Sequence, residues 1–343
     1  MIPSPLVFTP IFKEKIWGGR TLTRLHKPLP TGDNVKVGES WEIADLASTS
    51  ADGGGGDSAH SAIAHGPMRG VTIRDAVQSM GANLMGAATL TPSGGFPLLV
   101  KYLDARENLS VQVHPSPAYA AANPGAHLKT ESWYIVHAEP GAVIYKGVRP
   151  GVTREQFAAH ITDATVVNDL IAVPVRAGDF HHLPSGTCHA LGAGVVVAEV
   201  QTPSDTTFRV FDWGRTERAL HVRQALECID FSGKTDPAPV RASEGERTLL
   251  VSTEFYAAAE LNLRAGDPHT LRIGGRAPRV WMLLEGAGEF RAEAGEFDPV
   301  PLRTGDTALF PAAMPAARFT PTTPTRVLEV LLPHREPPTG LRT

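Results

Sequence analysis

The chain has 343 residues, with 33 glycines, 29 prolines, 42% apolar residues and a net charge of −4. Scattered Gly and Pro with an ordinary apolar content exclude a collagen-like or broadly disordered chain, and no apolar run approaches the ~18 residues of a membrane span. The mildly negative balance gives no electrostatic footprint for nucleic acid or an anionic membrane surface.

The composition therefore predicts a soluble, turn-rich, mostly β protein. Short β-type runs open the chain at Leu6–Phe8, Ile11–Phe12 and Ser40–Ile43. The four glycines of ADGGGGDSAHS, residues 51–61, read as a flexible surface insertion. Apolar spacing at Ile73, Ala76, Val77, Met80 and Leu84 predicts an amphipathic helix from Thr72 to about Leu84. Strands are expected at Phe96–Leu103, Leu109–Val113, Ser132–Val136 and Ala142–Tyr145. Thr153 with Gln156 forms a capping-box pattern for a helix running to Thr162. Further strands follow at Val173–Val175, Asp179–Leu183, Val195–Val200 and Thr207–Phe211, then a helix near Leu220–Ile229.

Residues 231–247 are polar and turn-rich and read as a linker. After it, short strands are expected at Thr248–Thr253, Tyr256–Leu263, Arg279–Leu284, Gly288–Arg291, Thr307–Phe310 and Arg326–Leu332. Their ~8–12-residue spacing is that of a sandwich or barrel. The stretch GDFHHLPSGTCHALG from Gly178 echoes GDTALFPAAMPAARF from Gly305, and only the first carries histidines. A duplicated β unit is one reading of this echo, with chemistry in the first copy alone. Two cysteines, Cys188 and Cys228, are too few for a disulfide scaffold, and the N-terminus lacks a signal-peptide pattern, so a cytoplasmic location is expected.

The chemistry concentrates in three places. In LSVQVHP, period-2 alternation puts Ser110, Gln112 and His114 on one face. In KTESW, Lys129 and Glu131 share a face. Gly178-x5-Pro184-x-Gly186-x2-His189 sets a histidine after a Pro/Gly turn. Gln112, His114, Glu131 and His189 together make an N2O2 set suited to zinc, iron, manganese or nickel.

The His189 motif resembles the second motif of the cupin superfamily. The combination of SVQVHP, KTE, SGTCHA and SDTTFR in this order, with FKEKIWGGR and GESWEIAD upstream, is similar to the short bacterial type I mannose-6-phosphate isomerases. The resemblance is strong over residues 6–215 and weaker beyond. It implies a mainly β fold of tandem cupin-type jelly-roll barrels with a few short helices. Residues 1–232 would form the metal-binding catalytic domain with helical insertions, and 245–335 a jelly-roll domain without ligands. It implies one Zn2+ per chain, held by Gln112, His114, Glu131 and His189, and a sugar phosphate interconverted between mannose 6-phosphate and fructose 6-phosphate. It also assigns the active-site arginine to Arg209 and the active-site lysine to Lys129. The long helical insertion of the larger relatives is missing, which affects the pocket walls.

Aldose–ketose isomerisation requires ring opening, proton removal from C2, enediolate stabilisation and proton delivery to C1. Lys129 is read as an acid–base or oxyanion group, and Arg209, permanently cationic, as holding phosphate or enediolate. Ser110 and Lys101 suit the phosphate, Glu42 of GESWEIAD is a base or orienting group, and Trp17 lines the pocket. The proton-abstracting group stays open between Lys129, Glu42 and a hydroxide supplied by the metal. Competing readings are a cupin iron oxygenase, and a cupin metalloprotein that acts on or merely binds another sugar or sugar phosphate. The rim lysine and arginine favour an anionic sugar over O2 chemistry. Nothing in the sequence speaks to oligomeric state.

Overall fold

The computed structural model describes residues 3–32, 34–46, 59–233 and 242–333. Residues 51–58 of the glycine-rich stretch and 234–241 of the expected linker lie outside the described residues. The architecture is mainly β, with two cupin-type jelly rolls in tandem and a few short helices.

The first unit pairs a six-stranded with a five-stranded sheet. The six-stranded sheet runs Phe180–Leu183, Glu131–Ala138, Val195–Gln201, Leu99–Ala105, Val37–Ile43, Ile11–Gly19. The five-stranded sheet runs Leu170–Pro174, Val143–Val148, His189–Leu191, Val111–Val113, Phe208–Phe211. The second unit repeats this order. Its larger sheet runs Thr307–Phe310, Arg279–Glu285, Thr325–Leu331, Ala257–Leu263, Arg247–Ser252, Ala242–Glu244. Its smaller sheet runs Val300–Arg303, Ala287–Ala292, Ala317–Pro321, His269–Leu271. Two strands break the symmetry: Phe208–Phe211 has no counterpart among the described residues of the second unit, and Leu6–Val7, from the N-terminus, pairs with Ala308 and Leu309 at the edge of the second unit's larger sheet.

The short sequence echo is thus structural. Gly178 and Gly305 both have φ of 92°, a left-handed turn that glycine adopts without Cβ strain. The Arg176 amide donates to Asp179 Oδ2 and the Arg303 amide to Asp306 Oδ2, each at 2.9 Å. Deeper in the units, Trp133 Nε1 donates to Glu199 at 3.0 Å and Trp281 Nε1 to Glu329 at 3.2 Å. Two residues before each tryptophan the copies diverge. The first has Glu131; the second has Arg279, which donates to Glu329 at 3.3 Å. A guanidinium in the second copy therefore stands where the first presents a carboxylate.

Helix boundaries follow the expected caps. Thr72 accepts from the Asp75 amide and starts Ile73–Met80, but Gly81 ends it, and Ala82–Met85 is a separate turn. The Thr153–Gln156 capping box is complete at the head of Arg154–Thr162. The helix expected near Leu220–Ile229 is Val222–Cys228, and a short helix not expected from the sequence spans Pro117–Ala122. Ala242–Glu244 forms a strand, so the linker is shorter than residues 231–247.

The two units pack back to back through one hydrophobic cluster. Tyr102, Tyr134, Val196 and Val200 on the rear of the six-stranded sheet meet Tyr256, Val280, Met282 and Val330 on the rear of the other. Each such fully buried side chain contributes about 1.5–3 kcal/mol relative to exposure. The opposite face of the six-stranded sheet looks into the first unit. Among the described residues, no helix is long and apolar enough to cross a membrane.

Candidate metal centre and active-site cleft

A cleft of about 460 Å³ opens between the two sheets of the first unit. At its floor His114, Glu131 and His189 bring one ligand atom each within 4.8 Å of one another, and all three are buried. Glu131 begins its strand on the six-stranded sheet. His189 begins its strand on the facing sheet, with Gln112 directly opposite on the neighbouring strand. His114 follows Val111–Val113. The Pro184–Gly186 turn delivers His189: Gly186 has φ of 90°, its amide donates to the His114 carbonyl at 3.3 Å, and the Thr187 amide donates to the Pro184 carbonyl at 3.1 Å.

Hydrogen bonds set the histidine tautomers. His114 Nδ1 is 3.0 Å from the Thr206 carbonyl and His189 Nδ1 is 2.8 Å from the Thr187 carbonyl. Carbonyls only accept, so both Nδ1 atoms carry the proton and both Nε2 atoms offer lone pairs inward. Those lone pairs face Glu131 oxygens at 3.3 and 3.2 Å. Burial, reinforced by Lys129, pushes the His114 imidazole down to about 3, so it is uncharged near neutrality. Burial raises the Glu131 carboxyl, but the charge of Lys129 more than offsets it and holds it well below the usual carboxylate range. Two imidazole lone pairs aimed at a carboxylate repel it, and His114 Nε2 and both Glu131 oxygens make no well-formed hydrogen bond. A divalent cation removes this conflict, and the donor set fits one. Gln112 stands beside these three residues, its amide Nε2 lying 3.4 Å from His189 Nε2.

Beside the centre runs a row of alternating charges. Lys129 Nζ lies 2.8 Å from Glu131 and 3.9 Å from Glu199; Lys101 Nζ lies 3.2 Å from Glu199 and 3.4 Å from Glu39. Burial opposes charge on Lys101, but Glu199 and Glu39 hold it above its ordinary value. Burial likewise raises Glu39, and Lys101 and Lys15 pull it back well below the usual range. Glu199 stays raised, through burial and then the charge of Glu131.

Of the residues expected at the site, Gln112, Glu131, Lys129, Lys101, Ser110, Trp17 and Arg209 all line the cleft, with His114 and His189 beneath. Ser110 Oγ donates to Gln112 Oε1 at 3.2 Å. Trp17 is both wall and core. Arg209 Nη1 donates to the Ala219 carbonyl at 2.8 Å, while its Nε is buried without a partner. Asp212 binds Arg215 and Arg218 instead, and Arg218 also reaches the cleft. Glu42 is the correction. It faces the rear of the sheet, 2.6 Å from buried Lys27. The glutamate of GESWEIAD that enters the cleft is Glu39, because residues 39 and 41 share the inner face and 40 and 42 the outer. Sequence reading also missed Glu199, ten residues beyond His189 on the strand beside Glu131. A larger groove of about 1230 Å³ lies between the N-terminal segment and the second unit, with no metal-type cluster among its described residues.

The chain is similar to known proteins in sequence and in fold. The sequence matches the catalytic domain of type I phosphomannose isomerase over residues 6–144. It is 33% identical to the mannose-6-phosphate isomerase of Streptococcus mutans, over 92% of this chain and 95% of the relative. The chain belongs to the type I phosphomannose isomerase family. Family membership extends to Bacillus subtilis ManA, a mannose-6-phosphate isomerase 31% identical over 91% of this chain and 94% of its own. Among solved phosphomannose isomerases, a Bacillus subtilis crystal structure superposes with a TM-score of 0.82 at 28% identity, covering 96% of this chain and all (100%) of that one. A mannose 6-phosphate isomerase bound with zinc and yttrium shares the fold at a TM-score of 0.72 and 18% identity, over 96% of this chain and 99% of that one.

Proposed function

We propose that this phosphomannose isomerase family member interconverts mannose 6-phosphate and fructose 6-phosphate through an enediolate, using one zinc ion per chain. The observation that carries the proposal is the convergence of two imidazoles and a carboxylate beside Lys129, in a cleft that also holds Arg209. Gln112, His114, Glu131 and His189 would hold the ion. Bound there, zinc supplies Lewis acidity toward a sugar oxygen.

The chain's own residues do the rest. Lys129 Nζ, fixed in place by Glu131 and Glu199, donates to the oxyanion that develops as the proton moves between C2 and C1. Arg209 keeps its charge at all working pH values and binds the phosphate or the developing oxyanion. Ser110 and Lys101 add a hydroxyl and an ammonium to the same anion. The buried walls, Trp17 and Trp133 among them, keep bulk water from the enediolate.

In this proposal residues 1–232 are the catalytic domain, and 245–335 a ligand-free jelly roll that supports it. A reducing, cytoplasmic setting accords with two buried free thiols, Cys188 and Cys228. The deciding experiment is conversion of mannose 6-phosphate by metal-loaded protein and by His189→Ala. The proposal expects turnover by the first and its loss, with the fold intact, in the second. A metal-loaded wild type that does not convert the substrate refutes it.

A further inference from the structure

Among its described residues the second unit has no metal-type cluster, yet one of its side chains reaches the rear of the strand that carries Glu131. We infer that Tyr256 is a positioning residue: its buried hydroxyl fixes, from behind, the strands that carry Glu131 and Glu199. This rests on the reading of Glu131 as a metal ligand.

The geometry is a single row across three strands. Ser132 pairs with His182 on one side and with Val200 on the other. Ser132 lies between Glu131 and Trp133, and Val200 between Glu199 and Gln201. Alternation along a strand therefore sends Glu131 and Glu199 into the cleft and turns Ser132 and Val200 to the rear. There the Tyr256 hydroxyl meets both: it donates to the Val200 carbonyl at 3.2 Å and lies 2.8 Å from Ser132 Oγ.

The direction of the hydrogen bonds follows from the carbonyl. Val200 C=O can only accept, so the single Tyr256 proton goes to it. Ser132 then donates to the Tyr256 oxygen, and the Ser132 oxygen accepts from His182 Nδ1 at 2.9 Å. The chain His182, Ser132, Tyr256, Val200 thus ties three adjacent strands at one register. Tyr256 is itself held: its amide donates to Thr253 Oγ1 at 3.1 Å, and its carbonyl accepts from the Thr253 amide and hydroxyl, both at 2.9 Å.

The internal duplication supplies a control within the molecule. In the second unit the positions matching Ser132 and Val200 are Val280 and Val330, paired in the same register. An apolar pair suffices where no metal site stands in front. The polar row occurs behind Glu131, where buried polar groups cost more than valines unless every one is satisfied. Its satisfaction depends on a hydroxyl from the other unit, which gives the ligand-free half a part in setting the site.

The test uses the full chain with Tyr256→Phe, which removes the oxygen and keeps the ring, and Ser132→Ala, which cuts the same chain from the other side. Zn2+ affinity is read by chelator competition, and ligand geometry by the visible spectrum of the Co2+-loaded protein. Loss of supporting hydrogen bonds around metal ligands typically weakens binding 10–100-fold, so about tenfold is expected for Tyr256→Phe. The Co2+ bands should shift, kcat should fall more than KM changes, and the double variant should be no weaker than the worse single one. Wild-type Zn2+ affinity and an unshifted Co2+ spectrum in Tyr256→Phe would overturn the inference even if its melting temperature dropped, because a merely structural tyrosine behaves that way. If Tyr256→Phe does not fold, Ser132→Ala carries the same readouts with the same expectations. A wild type that binds no stoichiometric zinc overturns the reading of the site, and this inference with it.

Discussion

Replacing Lys27 by methionine tests the placement of Glu42 behind the sheet. Lys27 Nζ lies 2.6 Å from Glu42 Oε2 and 2.6 Å from the Gly305 carbonyl, and stands 5.1 Å over the Tyr102 ring. The two side chains are 4% and 2% exposed, so water cannot take the ammonium's place. Methionine keeps the volume and leaves the Glu42 carboxyl with the Ser40 hydroxyl alone, at 2.6 Å. Removing one partner of a buried pair costs ~3–5 kcal/mol. With an unfolding entropy near ~0.7 kcal/mol per degree for a chain of this length, the thermal midpoint should fall by about 4–7 °C. Burial already raises the Glu42 carboxyl despite Lys27, and the variant raises it further. A carboxyl whose folded pKa exceeds its unfolded value takes up its proton in the folded state first. Stability is therefore gained as pH falls through the folded value and is fully gained below the unfolded one, so Lys27→Met should recover relative to wild type between neutral pH and about 4.5. Lys27→Met/Glu42→Leu should restore most of the loss at neutral pH. Glu42→Gln should keep its kcat. Scanning calorimetry against pH and steady-state kinetics measure these outcomes. An unchanged midpoint in Lys27→Met would refute the electrostatics. A well-folded Glu42→Gln with kcat reduced about 100-fold would return Glu42 to the chemistry.

Other predictions concern the site and the turns that build it. Arg209→Lys should lower kcat/KM for mannose 6-phosphate by about 100-fold while leaving bound zinc at wild-type stoichiometry, since a point charge does not reproduce the guanidinium fork. Gly186→Ala forces a Cβ to 3.1 Å from the Cys228 carbonyl at a φ of 90°, so the His189 turn should shift and metal affinity fall, as read by chelator competition. Gly305→Ala would set a Cβ 1.9 Å from the Leu25 carbonyl at a φ of 92°, and should cost more than about 2 kcal/mol in chemical denaturation without changing the metal content of the folded fraction. Burial pushes the Cys188 thiol far up, so iodoacetamide should leave it unmodified in the native protein and alkylate it only after unfolding.

Much of the site could be read from the sequence because its ligands lie in short local patterns. Gln112 and His114 are two apart in an alternating strand, Lys129 and Glu131 likewise, and His189 follows a turn whose glycine needs a positive φ. Glu39 and Glu42 could not be told apart in that way. All seven residues of Val37–Ile43 are buried, one face toward the cleft and the other toward the second unit, so hydrophobic alternation carries no sign of which face is which. The row Glu39, Lys101, Glu199 was hidden for a different reason. It exists only through the pairing of Glu199 with Lys101 and of Trp41 with Lys101, registers set by strands far apart in sequence. The Leu6–Val7 strand, two residues long, gives no local hint that it closes the edge of the other unit's sheet. The short glycine echo understated the duplication, since side chains diverged while the strand order persisted.

In the proposed function, one divalent ion, held by Gln112, His114, Glu131 and His189, makes this cleft an isomerase. Metal-stripped protein titrated with Zn2+, with fructose 6-phosphate formation from mannose 6-phosphate followed at each addition, tests it directly. The rate should be near zero without metal, rise linearly with added Zn2+ and level off at one Zn2+ per chain. Full turnover in the stripped protein, or none after saturation, would contradict it.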